Sequence, residues 1–218
     1  MSSLPVIHIA IAEYPAIPRR SLVKYINTLD PRFNVYIDAQ NGKDLLHKID
    51  TASYQPDICI LDIAMPEMDG FTTVAELKQK YPLVKTIGFS EADDKYPILR
   101  MISNGASGFV SKAENEEELT KTINGVYNDG FSVSAHVHRL LPKLSDHNAG
   151  KLLWEMYSDK EIEFLSLCAK DLTYAEIGKR MNLSTRTAEN YASRLRGLTN
   201  TDSRIGLAIF AKKNKLVN

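Results

Sequence analysis

The sequence predicts a parallel α/β sheet followed by a smaller all-α domain. Over the first 130 residues, short β-rich runs alternate with amphipathic stretches, the pattern of βαβ units. From Ser158 onward the apolar residues recur only at helical spacing. The charge divides at the same place. Residues 151–218 hold 12 Lys+Arg against 8 Asp+Glu, while the rest of the neutral 218-residue chain nets −4. A basic end joined to an acidic remainder points to nucleic-acid binding by the basic end.

Five strands are predicted at residues 6–12, 34–39, 58–63, 86–90 and 108–111. Helices are predicted at 19–29, 43–52, 71–81, 95–104 and 116–128. Pro15 and Pro18 suit only the approach to the first helix and its first turn, where a missing N–H costs nothing. Asn115 with Glu118 forms a capping pair for the fifth. Residues 131–157 change character, with His136, His138, Pro142, His147, Asn148 and Gly150 scattered through them, and read as a linker with a short helix around 137–144. The domains are therefore expected at 1–130 and 158–218.

Two capping boxes, Ser158-Asp-Lys-Glu161 and Thr173-Tyr-Ala-Glu176, each open a helix in the second domain. Asn182-Leu183-Ser184 gives a turn and a third N-cap candidate, so helices follow at 185–198 and 203–213. A short helix, a tight turn and a polar-faced helix make a helix-turn-helix.

Composition excludes several classes. No apolar run approaches the roughly 20 residues of a membrane span, and the N-terminus lacks the basic start of a signal peptide. Cys59 and Cys168 sit in apolar segments outside any CxxC or Cys/His cluster and read as small buried hydrophobes. A cytoplasmic protein is expected. The three linker histidines lack an acid or thiol at ligand spacing, so no metal site is expected there.

Chemistry is concentrated in Cys59-Ile60-Leu61-Asp62-Ile63-Ala64-Met65-Pro66-Glu67-Met68-Asp69-Gly70, where an apolar strand ends in one aspartate and a Pro/Gly loop follows. Open α/β sheets place their chemistry at such carboxyl ends, and aspartate can accept a phosphoryl group as an acyl phosphate. Transfer to a carboxylate also needs a hard cation, a fixed positive charge and donors to the moving group. Glu13 and Asp62 can supply carboxylates for Mg²⁺.

Residues 6–130 resemble the receiver domain of two-component response regulators, whose fold is flavodoxin-like with a five-stranded parallel sheet. The resemblance implies that Asp62 is the phosphoacceptor and that Glu13, Asp62 and the Ala64 carbonyl hold Mg²⁺. It further implies that Ser90 and Lys112 meet the phosphoryl group, with Phe109, in Gly105-Ala-Ser-Gly-Phe-Val-Ser-Lys112, as an aromatic switch that moves inward. One position departs. Receivers usually carry two adjacent acids after the first strand, and this chain reads Ala12-Glu13-Tyr14. Losing a carboxylate predicts weakened Mg²⁺ binding, since affinity follows ligand charge.

Residues 158–217 resemble the four-helix output domain of the LuxR/NarL type. On a 100° wheel, Ala188, Tyr191, Leu195 and Leu198 face the domain core, while Arg186, Glu189, Asn190, Ser193 and Arg194 face outward. That outward face, with Thr185 in the first turn, offers groups for base edges and phosphates of a major groove. Gly197 and Thr199 depart from the family pattern and predict a frayed or shortened helix end. The apolar last helix suggests a dimer contact.

The combined reading is a DNA-binding transcriptional response regulator, not an enzyme. A partner histidine kinase would phosphorylate Asp62 and thereby control dimerisation and binding to double-stranded promoter DNA. A phosphorylation-independent pseudo-receiver, governed by protein or ligand contact, is the alternative. An aspartate-based phosphohydrolase would want a second acid where Ala64 stands.

Overall fold

In the computed structural model the chain forms two compact units, Met1–Ala149 and Gly150–Asn218. The structure describes residues 5–91, 95–145, 147–149, 151–152, 156–170, 172–199, 201–213 and 217.

The first unit runs β1 (Ile7–Ala12), α1 (Ala16–Leu29), β2 (Phe33–Ala39), α2 (Gly42–Thr51), β3 (Ile58–Leu61), α3 (Gly70–Lys80), β4 (Lys85–Ser90), α4 (Lys95–Ser103), β5 (Gly108–Ser111), α5 (Glu116–Asp129), β6 (Ser132–Val133) and α6 (Ala135–Leu140). The sheet is parallel throughout, in the order β2-β1-β3-β4-β5-β6. β3 is buried at all four positions, as a central strand covered on both faces should be. Ile7, Ile9, Ile11, Ile26, Ile58, Ile60, Ile87 and Ile123 build the core around it. Reversal of strand order at β1 opens a crevice beside the carboxyl ends of β1 and β3.

The unpaired edge of β2 is partly occupied by side chains. Asn27 Oδ1 accepts from the Val35 amide at 2.8 Å, and Lys48 Nζ donates to the Asp38 carbonyl at 2.6 Å. Such cover blunts edge-to-edge pairing.

Three expectations need correction. The sheet has six strands rather than five, because the stretch read as a linker from 131 begins with β6, paired to β5. Two residues are too short to show a strand period. Gly108 makes the pairing possible, since a Cβ there would lie 2.3 Å from the Ser132 carbonyl oxygen. The linker helix covers Ala135–Leu140 instead of 137–144, and positions 146, 150 and 153–155 of that stretch lie outside the described residues. Finally, α1 begins at Ala16, with Pro18 tolerated in its first turn.

The second unit contains α7 (Asp159–Cys168), α8 (Tyr174–Arg180), α9 (Thr185–Thr199) and α10 (Arg204–Lys213). Both capping boxes form, Ser158 with Glu161 and Thr173 with Glu176. Phe164, Leu165, Ile177, Ala188, Ala192, Leu195, Leu207 and Phe210 are buried in this unit, and the Phe164 ring stacks on Tyr191 at 5.8 Å. Asn182, at φ 55°, turns the chain between α8 and α9, and Ser184 Oγ caps α9 by accepting from the Thr187 amide at 3.1 Å.

Candidate functional site: an acidic pocket and an exposed helix face

The pocket lies where β1, β3 and β5 end together. β1 brings Glu13, whose amide donates to the Ala39 carbonyl at 3.1 Å and whose carbonyl accepts from Arg19 Nη1 at 3.1 Å. β3 brings Asp62, whose amide donates to the Ala12 carbonyl at 2.9 Å. Both acids are buried, Glu13 at 2% exposure and Asp62 at 6%. Lys112, following β5, joins them. Its Nζ lies 2.7 and 2.9 Å from the two Glu13 oxygens and 3.3 Å from Asp62 Oδ1.

These distances show that one cation reaches both carboxylates at once. Asp62 Oδ1 also accepts from the Ile63 amide at 2.8 Å. The backbone amide of Lys112 donates to the Ser90 carbonyl at 2.9 Å, bringing the end of β4 to the same rim. Ser90 is half-buried there, and Ala64 is exposed in the loop two residues past Asp62. Burial raises the Glu13 carboxyl above its ordinary value. The Lys112 hydrogen bond pulls it back, and the neighbouring Asp62 charge adds to the rise.

Among the described residues, no cluster of three or more His, Cys, Asp or Glu is placed to hold a metal. Among the described residues, Glu13 and Asp62 are the acids that Lys112 contacts in this pocket, and Ala12 stands beside Glu13 at the end of β1.

Phe109 occupies the interior at 0% exposure. A Cβ placed on Gly88 would come 2.5 Å from its ring and 3.1 Å from the Met101 methyl, so the ring fills the space over Gly88. The Phe109 ring points inward in this structure.

The second unit presents the opposite arrangement. On α9, Thr185, Arg186, Glu189, Asn190, Ser193 and Arg194 are all exposed. The buried side consists of Ala188, Ala192, Leu195 and Thr199, while Tyr191 and Leu198 are only half-buried. The helix does not shorten after Gly197. It runs to Thr199, whose hydroxyl donates to the Leu195 carbonyl at 2.7 Å and meets Thr201 Oγ1 at 2.9 Å.

Arg194 is less free than its exposure suggests. Its Nη1 lies 2.5 Å from Glu161 Oε1, while Glu161 Oε2 accepts from the Ser158 amide and hydroxyl at 2.9 and 2.7 Å. Glu161 thus ties α9 to the start of α7. The capping box identifies Glu161 from its sequence neighbours alone, and nothing local reveals a partner 33 positions away.

Comparison with known proteins gives two matches that together span most of the chain. Residues 9–124 match the response regulator receiver domain, and residues 155–211 match the luxR family of bacterial regulatory proteins. A Pseudomonas aeruginosa protein classed among transcriptional regulators is 30% identical over 95% of this chain and 97% of its own. The oxygen regulatory protein NreC of Staphylococcus carnosus is 25% identical over 96% and 99%.

Among solved structures, two RcsB dimers bound to two parallel DNAs share the fold at a TM-score of 0.64, with 20% identity over 95% of this chain and 98% of that one. A LuxR-family DNA-binding response regulator from Staphylococcus aureus matches at 0.52, with 31% identity over 56% and 100%. Among the described residues, no helix is long and apolar enough to cross a membrane.

Proposed function

The chain belongs to the response-regulator family in which a receiver domain precedes a LuxR-type helix-turn-helix, and from that premise we propose that it binds double-stranded promoter DNA under the control of phosphorylation at Asp62. The observation that carries this reading is Lys112 seated between Glu13 and Asp62 at the ends of three strands. A buried carboxylate beside a fixed ammonium is the arrangement that phosphoryl transfer requires.

In the proposed reaction an Asp62 oxygen attacks the phosphorus of a kinase phosphohistidine. The P–N bond breaks, its electron pair returns to the imidazole nitrogen, and an acyl phosphate forms. Lys112 turns from Glu13 toward the new phosphoryl oxygens, and the Ser90 hydroxyl donates to one of them.

Glu13, Asp62 and the Ala64 carbonyl would hold Mg²⁺. The two carboxylates fit a hard cation, since they already share one ammonium. When bound, the metal neutralises charge that develops on the transferred group. Two features argue for weakened binding: Ala12 supplies no acid, and Lys112 already engages both Glu13 oxygens.

DNA recognition is assigned to α9. Arg186, Asn190 and Ser193 are exposed for base edges, and Thr185 is exposed for phosphate. Arg194 acts from its anchored position against Glu161. Glu189 is a specificity residue if it accepts from a cytosine amine. Ile205 and Ile209 on α10, at 65% and 60% exposure, support a homodimer suited to two-fold sites.

A second reading, contact control without phosphorylation, draws on the same ion pair, which closes the pocket without a phosphoryl group. A groove of about 470 Å³ that includes Glu13 and Lys112, with Pro18, Ser21, Leu22, Tyr25 and Phe89 completing its lining, would admit a small ligand with an apolar body and a polar end. Incubation with acetyl phosphate and Mg²⁺, read by intact mass, separates the two. A phosphoryl mass gain that disappears in Asp62→Ala supports phospho-control, and no gain under forcing conditions rejects it.

A further inference from the structure

The first turn of α6 is held by the wrong residue. Its N-cap, Ser134, is 1% exposed, and its hydroxyl makes no cap bond and has no partner. Two carboxylates from the β5–α5 connection and α5 take its place. Glu118 Oε2 accepts from the Ala135 amide at 2.7 Å, and Glu114 Oε1 accepts from the His136 amide at 2.9 Å. The other Glu114 oxygen accepts from the Ser111 amide at 3.3 Å, one residue before Lys112. The Ser134 amide in turn donates to the Phe109 carbonyl at 3.1 Å. Carboxylates at a helix N-terminus satisfy orphan donors and complement the dipole.

The bonds form one block. β5 carries Phe109 and Ser111, which are bonded to the start of α6 through the Phe109 carbonyl and through Glu114, and Lys112 follows Ser111 directly in the chain. With six residues, α6 is too short to persist without such anchors. Of the first-unit helices named above it is the last in chain order.

We propose that Glu114 and Glu118 are coupling residues, a carboxylate clamp through which the position of Lys112 sets the order of α6. Glu114 divides one carboxylate between Ser111 and His136. When Lys112 leaves Glu13 for a group on Asp62, the turn 111–114 is displaced with it. The Glu114 carboxylate then no longer serves both amides, and the first turn of α6 loosens. Only the identity of the stimulus rests on the phosphoacceptor reading; the clamp itself does not.

Amide hydrogen exchange on the full chain tests this, with a cycle of E114A/E118A, K112A and their combination. E114A/E118A is expected to speed exchange at 135–138 by about tenfold, the loss of roughly one net hydrogen bond. K112A is expected to change exchange there in the parent and not in the E114A/E118A background. Equal responses in both backgrounds, or unchanged exchange at 135–138 in E114A/E118A, overturn the proposal.

Amides of β1 and β3 report whether the fold is kept. E114Q/E118Q retains acceptor oxygens and is expected to restore protection partway; should the alanine pair unfold, E114A alone carries the cycle, since Glu114 is the carboxylate shared by Ser111 and His136. Beryllofluoride with Mg²⁺ separates the two claims. No response at 62–64 rejects the phosphoacceptor reading, while the K112A cycle still decides the clamp. A response at 62–64 without one at 135–138 in the parent overturns the clamp.

Discussion

The acidic pocket and the exposed face of α9 are built in opposite ways. In the pocket the candidate groups are buried and already paired: Glu13 and Asp62 share Lys112, and Phe109 is sealed over Gly88. On α9 the candidate groups are exposed, and the buried side is made of small residues and one leucine. Phosphoryl transfer gains from desolvated, fixed charge. Groove recognition needs polar groups that reach outward from a rigid base. Substitution in the pocket should therefore alter fold and signal together, whereas substitution on the helix face should alter DNA binding alone.

The sharpest break would come at Phe109. Truncation to alanine empties a fully buried site and is expected to cost about 3–5 kcal/mol, seen as a lowered urea midpoint for the first unit. A midpoint within experimental error of the parent would mean that the ring does not build the core. Asn190→Ala is expected to leave thermal unfolding unchanged and to weaken specific DNA binding by about 1–3 kcal/mol, measured by fluorescence anisotropy at fixed salt. A fall in the thermal midpoint would place Asn190 among the structural residues instead.

Glu161→Ala probes the place where the contrast fails, because one buried carboxylate caps α7 and anchors Arg194. Loss of the cap alone is expected to cost about 0.5–2 kcal/mol, and DNA binding should weaken as Arg194 is released. Glu161→Gln should recover part of both. Thermal unfolding and anisotropy, run in parallel, would show whether the two effects separate.

The smallest effect concerns pH. Burial raises the Glu13 carboxyl above 4.5, so the folded protein holds that proton more tightly than the unfolded chain does. Stability from this group is present at low pH and declines as pH rises through the raised value. Mg²⁺ requires the ionised form. Its affinity, by titration calorimetry, should therefore climb with pH above 4.5 and lose that rise in Glu13→Gln.

Much of this contrast was legible from residue patterns. Alternating strands and helices gave the sheet, because β3 and its neighbours are buried on both faces and leave apolar runs. The ordered acids and lysine marked the pocket, because Glu13, Asp62 and Lys112 each follow a strand that ends at the same rim. The wheel correctly separated the exposed side of α9. It could not rank depth, however: Ala192 and Thr199 are as fully buried as Ala188 and Leu195, because a small side chain and a self-bonded hydroxyl allow close packing, while Tyr191 and Leu198 are only half-buried. Nor could it find Glu161–Arg194 or Glu114–His136, which join distant segments and have no periodic signature. β6 escaped because two residues have no period, although Gly108 held a steric hint of it.

The central claim is that the state of Asp62 governs DNA binding by α9. Gel-shift titration of the full chain on its promoter, with and without beryllofluoride and Mg²⁺, tests it directly, with Asp62→Ala as control. The account predicts tighter binding with beryllofluoride in the parent and none of that gain in Asp62→Ala. Equal binding in all four conditions would contradict it.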